Sequence, residues 1–199
     1  MKRKLAIATL LAGLAFGAIA APITVTSVIA TGAYENDLSA IIDGVFPAEG
    51  GFFKNNTVWW GGTAPVFTIA FDQTYILQDV MVSVDNNDWY TVQTSMDNSL
   101  WSNLFSITKW DGEIGNGMDT MSSISGNTEY IAGIDFQATN ARYARIYATG
   151  GDGLYAVGEL SFTGVAANPV PSPPAFILML TGLGLLGLTN RFRRAGKET

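Results

Sequence analysis

Along the middle of the chain, apolar side chains recur at every second position in short runs separated by polar and glycine-rich clusters. Residues 23–29, 66–71, 80–84, 90–95, 131–136, 143–149 and 156–162 carry this pattern. A period of two sends successive side chains to opposite faces of an extended strand, so each run predicts a strand with one face buried. In 66–71, Phe67, Ile69 and Phe71 share a face. In 156–162, Gly158, Leu160 and Phe162 share one face, while Val157, Glu159 and Ser161 share the other. Between runs lie Asp43-Gly44, Gly61-Gly62, Asp85-Asn86-Asn87-Asp88, Gly115-Asn116-Gly117 and Gly150-Gly151-Asp152-Gly153. These residue types accept turn conformations or bond their own backbone. No long 3.6-residue pattern and no internal repeat interrupts the scheme. The expectation is an all-β protein, an antiparallel β-sandwich.

The two ends obey different rules. Residues 1–21 open on Lys2, Arg3 and Lys4, run apolar to Ala20, and place small residues at Ala18 and Ala20. That is the pattern of a secretory signal peptide, and signal peptidase is expected to leave a mature start near Ala21. The sandwich is expected over 22–167. Residues 168–174 read Asn-Pro-Val-Pro-Ser-Pro-Pro, a stiff spacer that continues neither strand nor helix. Residues 175–190 carry no charge. As a helix, the apolar stretch 175–188 covers about 21 Å of a hydrocarbon core about 30 Å thick, a short span for a membrane helix. The basic tail, 191–199, holds Arg191, Arg193 and Arg194. Clustered arginines predict a cytoplasmic C-terminus while the segment sits in the inner membrane.

Charge and composition narrow the chemistry. From 22 to 168 only Lys54, Lys109, Arg142 and Arg145 oppose sixteen acidic residues, a net charge of −12. Such a surface repels phosphate backbones, which argues against nucleic acid as a partner, and it attracts cations. The chain has neither cysteine nor histidine. Disulfides, Ser-His-Asp and Cys-His catalysis and ordinary zinc sites therefore fall away. A glycosidase would need two carboxylates roughly 5 to 9.5 Å apart, and no spacing singles out such a pair. A protein that is not an enzyme is expected.

The C-terminal segment resembles the PEP-CTERM sorting signal of Gram-negative bacteria. Val170-Pro171-Ser172-Pro173 stands for its Pro-x-Pro motif, with serine where the family has glutamate. A Gly/Leu-rich stretch over 182–188 and the arginines follow in the family's order. The resemblance implies an exosortase as a processing partner, a link to exopolysaccharide, and delivery to the cell surface or extracellular matrix. The middle resembles the discoidin-like domain, also called the coagulation factor V/VIII type C domain, of the galactose-binding jelly-roll fold. The residues that carry this likeness are Arg142-Tyr143-Ala144-Arg145-Ile146, the Glu159 strand, Asp43-Gly44 and Thr57-Val58-Trp59-Trp60. The segment between Asp43 and Thr57 is longer than in the family.

That resemblance implies one structural Ca²⁺ near the N-terminal loop, on positions matching Asp43, Thr57 and Glu159. Calcium takes six to eight hard oxygens, so backbone carbonyls would complete the shell. Alternation places Glu159 opposite Leu160 and Phe162, away from the core; the plainer alternative is a surface glutamate and an Asp-Gly turn. Sugar binding needs a flat apolar platform beside polar groups. Trp59 and Trp60 are adjacent, so in a strand one faces the core and the other outward. Trp60 is a candidate platform, as is Trp89 beside Asp85, Asn87 and Asp88, whose carboxylates and amide would contact a glycan or a cation. Trp101 and Trp110 are further platforms, and each tryptophan can equally fill the sandwich. Arg145 is expected to pair with a neighbouring carboxylate. Together these readings predict an exported protein that binds carbohydrate or exopolysaccharide through its loops. The alternatives are a structural matrix or adhesion protein without a discrete ligand site, and a carboxylate-based glycosidase.

Overall fold

The computed structural model describes residues 20–167. The signal peptide, apart from Ala20 and Ala21, lies outside the described residues, as do the spacer, the apolar segment and the basic tail. Among the described residues nine strands follow one another: β1 (Ala21–Pro22), β2 (Val25–Thr31), β3 (Val58–Gly61), β4 (Val66–Asp85), β5 (Trp89–Ser95), β6 (Ser102–Ile107), β7 (Met118–Ser122), β8 (Thr139–Gly150) and β9 (Leu154–Ala166). Every pairing among them is antiparallel.

The fold turns on β4. The two predicted strands 66–71 and 80–84 are a single strand whose register shifts between Ala70 and Tyr75. Its first half pairs with β2 and β8, and its second half with β7 and β9. One strand thus serves both layers: β2–β4–β8–β5–β6 on one side, and β7–β4–β9 with β1 and β3 on the other. The expected face of Phe67, Ile69 and Phe71 is buried, and these side chains meet Val80, Val82, Leu160 and Phe162 in the core.

Residues 131–136, expected as a strand, instead hold a 3-10 turn over Ala132–Ile134. Ile131 and Ile134 stand three apart, the repeat that a 3-10 turn brings onto one side. Ile134 is accordingly buried in the core cluster. The alternation that predicted β9 also changes phase. Ser83 pairs with Glu159 and Val84 with Val157, which leaves Gly158 as the extra residue of a bulge. Val157 therefore joins Leu160 and Phe162 in the core.

Glu159 keeps its predicted side, opposite Leu160, yet it is 2% exposed. The long segment between Asp43 and Thr57 folds over it. Gly44 N donates to Glu159 Oε2 at 2.9 Å, and buried Pro47 packs so closely that a Cβ on Gly158 would stand 2.3 Å from its Cγ.

Candidate functional site

The strand pairings gather five loops at one end of the sandwich. Trp89 pairs with Gly150, Tyr90 with Ile107, Asp85 with Met118 and Gly61 with Leu154. The β4–β5 turn, the β6–β7 connection, the β8–β9 turn, the β3–β4 turn and the end of β2 therefore lie together.

Asp85 and Asp88 face inward. Both are buried. Asp88 Oδ1 accepts from Asp152 N at 3.0 Å, and its Oδ2 accepts from Tyr90 Oη at 3.4 Å. Burial, with the charges of Asp85 and Asp152 adding, pushes the Asp88 carboxyl up to about 7, although the Asp152 amide opposes this. Burial and then the Asp152 charge push Asp85 up to about 6, and its Oδ1 has no partner. Gly151 has a φ of 141°, and a Cβ there would collide with Asp88 Oδ1. These two aspartates interlock the turns and do not face solvent.

The outward groups are their neighbours. Asn87 Nδ2 donates to Asp152 Oδ2 at 2.9 Å on the surface. Trp89 is half-buried. Lys109 Nζ stands 5.2 Å from the centre of the Trp89 ring and 4.4 Å from that of Trp110. Trp110 is 78% exposed. A cation shared by two indoles holds both rings in place at modest energetic gain.

The loop that carries Lys109 and Trp110 is pinned from within. Asp111 Oδ2 accepts from Thr108 N at 2.7 Å. Buried Asn86 reaches Asp111 O and Asp119 Oδ2, each at 2.8 Å, and also Ile114 O through its side-chain amide. The result is an aromatic shelf bordered by a lysine, an amide and a carboxylate. An apolar face beside fixed hydrogen-bonding groups suits a sugar ring, which presents C–H bonds on one side and hydroxyls at its rim.

Trp60 is corrected. It is 1% exposed and packs on Phe67, Tyr90 and Tyr155. Trp59 is its outward neighbour, with Lys54 Nζ 3.8 Å from the centre of its ring. Arg145 bonds Gln93 Oε1 through Nε at 2.8 Å rather than a carboxylate, and its guanidinium lies 4.2 Å from the centre of the Trp101 ring.

The three residues expected around calcium fall near the folded-over segment. Asp43 is exposed and its Oδ1 accepts from Val45 N at 2.8 Å. Burial first, and the Asp43 charge second, push Glu159 up to about 7. Thr57 is buried and its hydroxyl donates to Phe53 O. Asp43 and Thr57 line one cleft with Asn36 and Lys54, and Glu159 lines the neighbouring one behind Gly44.

Three residues that build this end carry little local signal in the sequence. Asn86 and Asp119 point into a loop that only the fold creates, and Lys109 had no legible partner. The dense Thr-Lys-Trp-Asp-Gly run over 108–112 was the one available signal.

No protein-family model matches the chain, and no curated protein matches it. Solved structures do. A truncated AlyQ with CBM32 and alginate lyase domains aligns at a TM-score of 0.53 and 15% identity, over 77% of this chain and 36% of that one. The chain thus spans little more than a third of that structure's length. The shared fold is the antiparallel β-sandwich described above. The CBM32 of AlyQ in complex with 4,5-unsaturated mannuronic acid aligns at 0.48 and 18% identity, over 71% and 96% of the two chains. CBM32-3 from a family 31 glycoside hydrolase of Clostridium perfringens aligns at 0.44 and 17%, over 71% and 90%.

Proposed function

We propose that this protein is an exported, non-enzymatic carbohydrate-binding module that recognises a polysaccharide at the loop end of its sandwich. The observation that carries the reading is the exposed Trp110 ring, linked through Lys109 to Trp89, whose turn also presents the bonded pair Asn87 and Asp152. The fold shared with the CBM32-bearing AlyQ structure is consistent with it. A single shelf gives modest affinity, which many copies on a repetitive polymer would multiply. Glycan-array binding by the full-length chain, abolished by Trp110→Ala with the fold intact, is the expected result. A uniformly silent array would instead favour a structural matrix or adhesion protein.

The signal peptide pattern and the Val170–Pro173 and arginine elements support export through the inner membrane of a Gram-negative bacterium, exosortase processing and a surface or matrix destination. Intact mass of the exported protein tests this: loss of everything beyond the proline spacer is expected. A structural Ca²⁺ belongs to the same proposal. Asp43 and Glu159 offer hard oxygens in mutual repulsion, and Glu159 is buried, so a cation between them would offset both costs. Thr57 would line the floor of that site. Glu159→Gln is expected to remove one bound calcium.

A further inference from the structure

We propose that Glu49, Glu113 and Asp119 hold a second calcium ion, which clips the loop over 48–51 and the β6–β7 connection to β7. A carboxylate oxygen from each of the three lies within 4.8 Å of the others. Three oxygens so spaced share a central point about 2.8 Å or less from each, within a few tenths of an ångström of a Ca–O bond of roughly 2.4 Å. The three share no residue with the Asp43–Glu159 pair.

A surface cluster of acids would mean little, but Asp119 is not at the surface. It is 0% exposed and sits on the core side of β7, paired with Val84. Its Oδ2 accepts from Asn86 Nδ2 at 2.8 Å and from Ile114 N at 3.2 Å. Its Oδ1 is buried with no hydrogen-bond partner. A buried carboxylate oxygen without a donor is costly, and a cation is the partner that this donor set can recruit.

The surroundings point the same way. Glu49 reaches back so that its Oε1 accepts from Thr120 N at 3.1 Å, and a carboxylate oxygen of Glu49 lies within 4.8 Å of one of Asp119. Glu129, and after burial the charges of Glu129 and Glu49, raise the Glu113 carboxyl above its ordinary value. Carboxylates this close repel one another, and a shared proton or a shared cation relieves the repulsion. The charges that push Asp119 up to about 7 are those of Glu113 and Glu49, behind the larger effect of burial. Lys54, Lys109 and Arg145 are committed to aromatic rings elsewhere.

The backbone brings these acids together by design of the fold. Gly50 N donates to Met118 O at 2.9 Å and Met118 N to Gly51 O at 3.0 Å, so the folded-over segment extends the sheet at β7. Oxygen-only donors on three separate segments suit Ca²⁺, which accepts irregular shells completed by water; Mg²⁺ demands a regular octahedron, and softer metals prefer nitrogen or sulfur.

The test is calcium titration of the full-length chain by calorimetry, with CaCl₂ as the probe. Glu49 and Glu113 are exposed, so E49Q/E113Q is expected to fold. That variant should bind one calcium fewer than the wild type, whereas Asp43→Asn should keep this equivalent. In EGTA, E49Q/E113Q should melt at or above the wild-type temperature, because the repulsion is gone, and CaCl₂ should raise its Tm by less. Unchanged stoichiometry and Kd in E49Q/E113Q would overturn the proposal. A wild type that binds only one equivalent, lost in Asp43→Asn and kept in E49Q/E113Q, would overturn it while leaving the Asp43–Glu159 site standing.

Discussion

Asn86 Nδ2 lies 2.8 Å from Asp119 Oδ2, and this contact joins the turn after β4 to the inner face of β7. The same amide reaches the carbonyls of Asp111 and Ile114. One buried side chain therefore holds the loop that displays Lys109 and Trp110. Replacing Asn86 with alanine takes a donor from a carboxylate, which keeps Ile114 N, and from two carbonyls. The expected loss is about 2–3 kcal/mol of stability, read as a lower urea midpoint with an unchanged slope. A midpoint equal to wild type would show that the loop does not depend on this pin.

Two tryptophans should separate binding from folding. Trp110→Ala removes a ring that is 78% exposed, so its stability should stay within about 0.5 kcal/mol of wild type while glycan binding is lost. Trp60→Ala empties a packed core position and should cost about 3–5 kcal/mol. Thermal melts beside glycan-array binding read both. Binding retained by Trp110→Ala would move the ligand site elsewhere.

Stability should fall as pH rises. Burial holds Asp88, Asp119 and Glu159 near 7 and Asp85 near 6, against ordinary values of 3.8 for aspartate and 4.5 for glutamate. Between about pH 4 and pH 7 the folded chain carries more of these protons than the unfolded one, so its advantage shrinks across that window and levels off above it. Melting in EGTA is expected to be highest near the acidic edge and lower at pH 8. Calcium should restore stability at pH 8 by favouring the ionised carboxylates. A Tm that climbs from pH 5 to pH 8 in EGTA would contradict this.

Gly158→Ala should disturb the folded-over segment. A Cβ there would stand 2.3 Å from Pro47 Cγ, so Pro47 must shift and the bond from Gly44 N to Glu159 Oε2 must stretch. Overpacking of this kind costs about 1–3 kcal/mol. Faster proteolysis within 43–57 than in wild type is the second expected readout.

Local pattern carried the strands well where one face meets the core and the other meets water. The run 66–71 is the clearest case, with Phe67, Ile69 and Phe71 all inside. It carried less where both faces are covered. All five residues of β7 are buried, so no alternation marks them. The turn at 132–134 misled because an i, i+3 pair of isoleucines sits within a run that also reads as extended.

By itself, the sequence determined an acidic, cysteine-free, strand-rich body, the turn residues at its corners and a supply of tryptophans, because backbone geometry and residue type act over a few positions. Only the tertiary structure decided that Trp60 is core and Trp110 is surface, that a long segment closes over Glu159, and that Glu49, Glu113 and Asp119 converge. Those outcomes depend on pairings between residues far apart in the chain, where a one-residue bulge at Gly158 changes which side chains face the core.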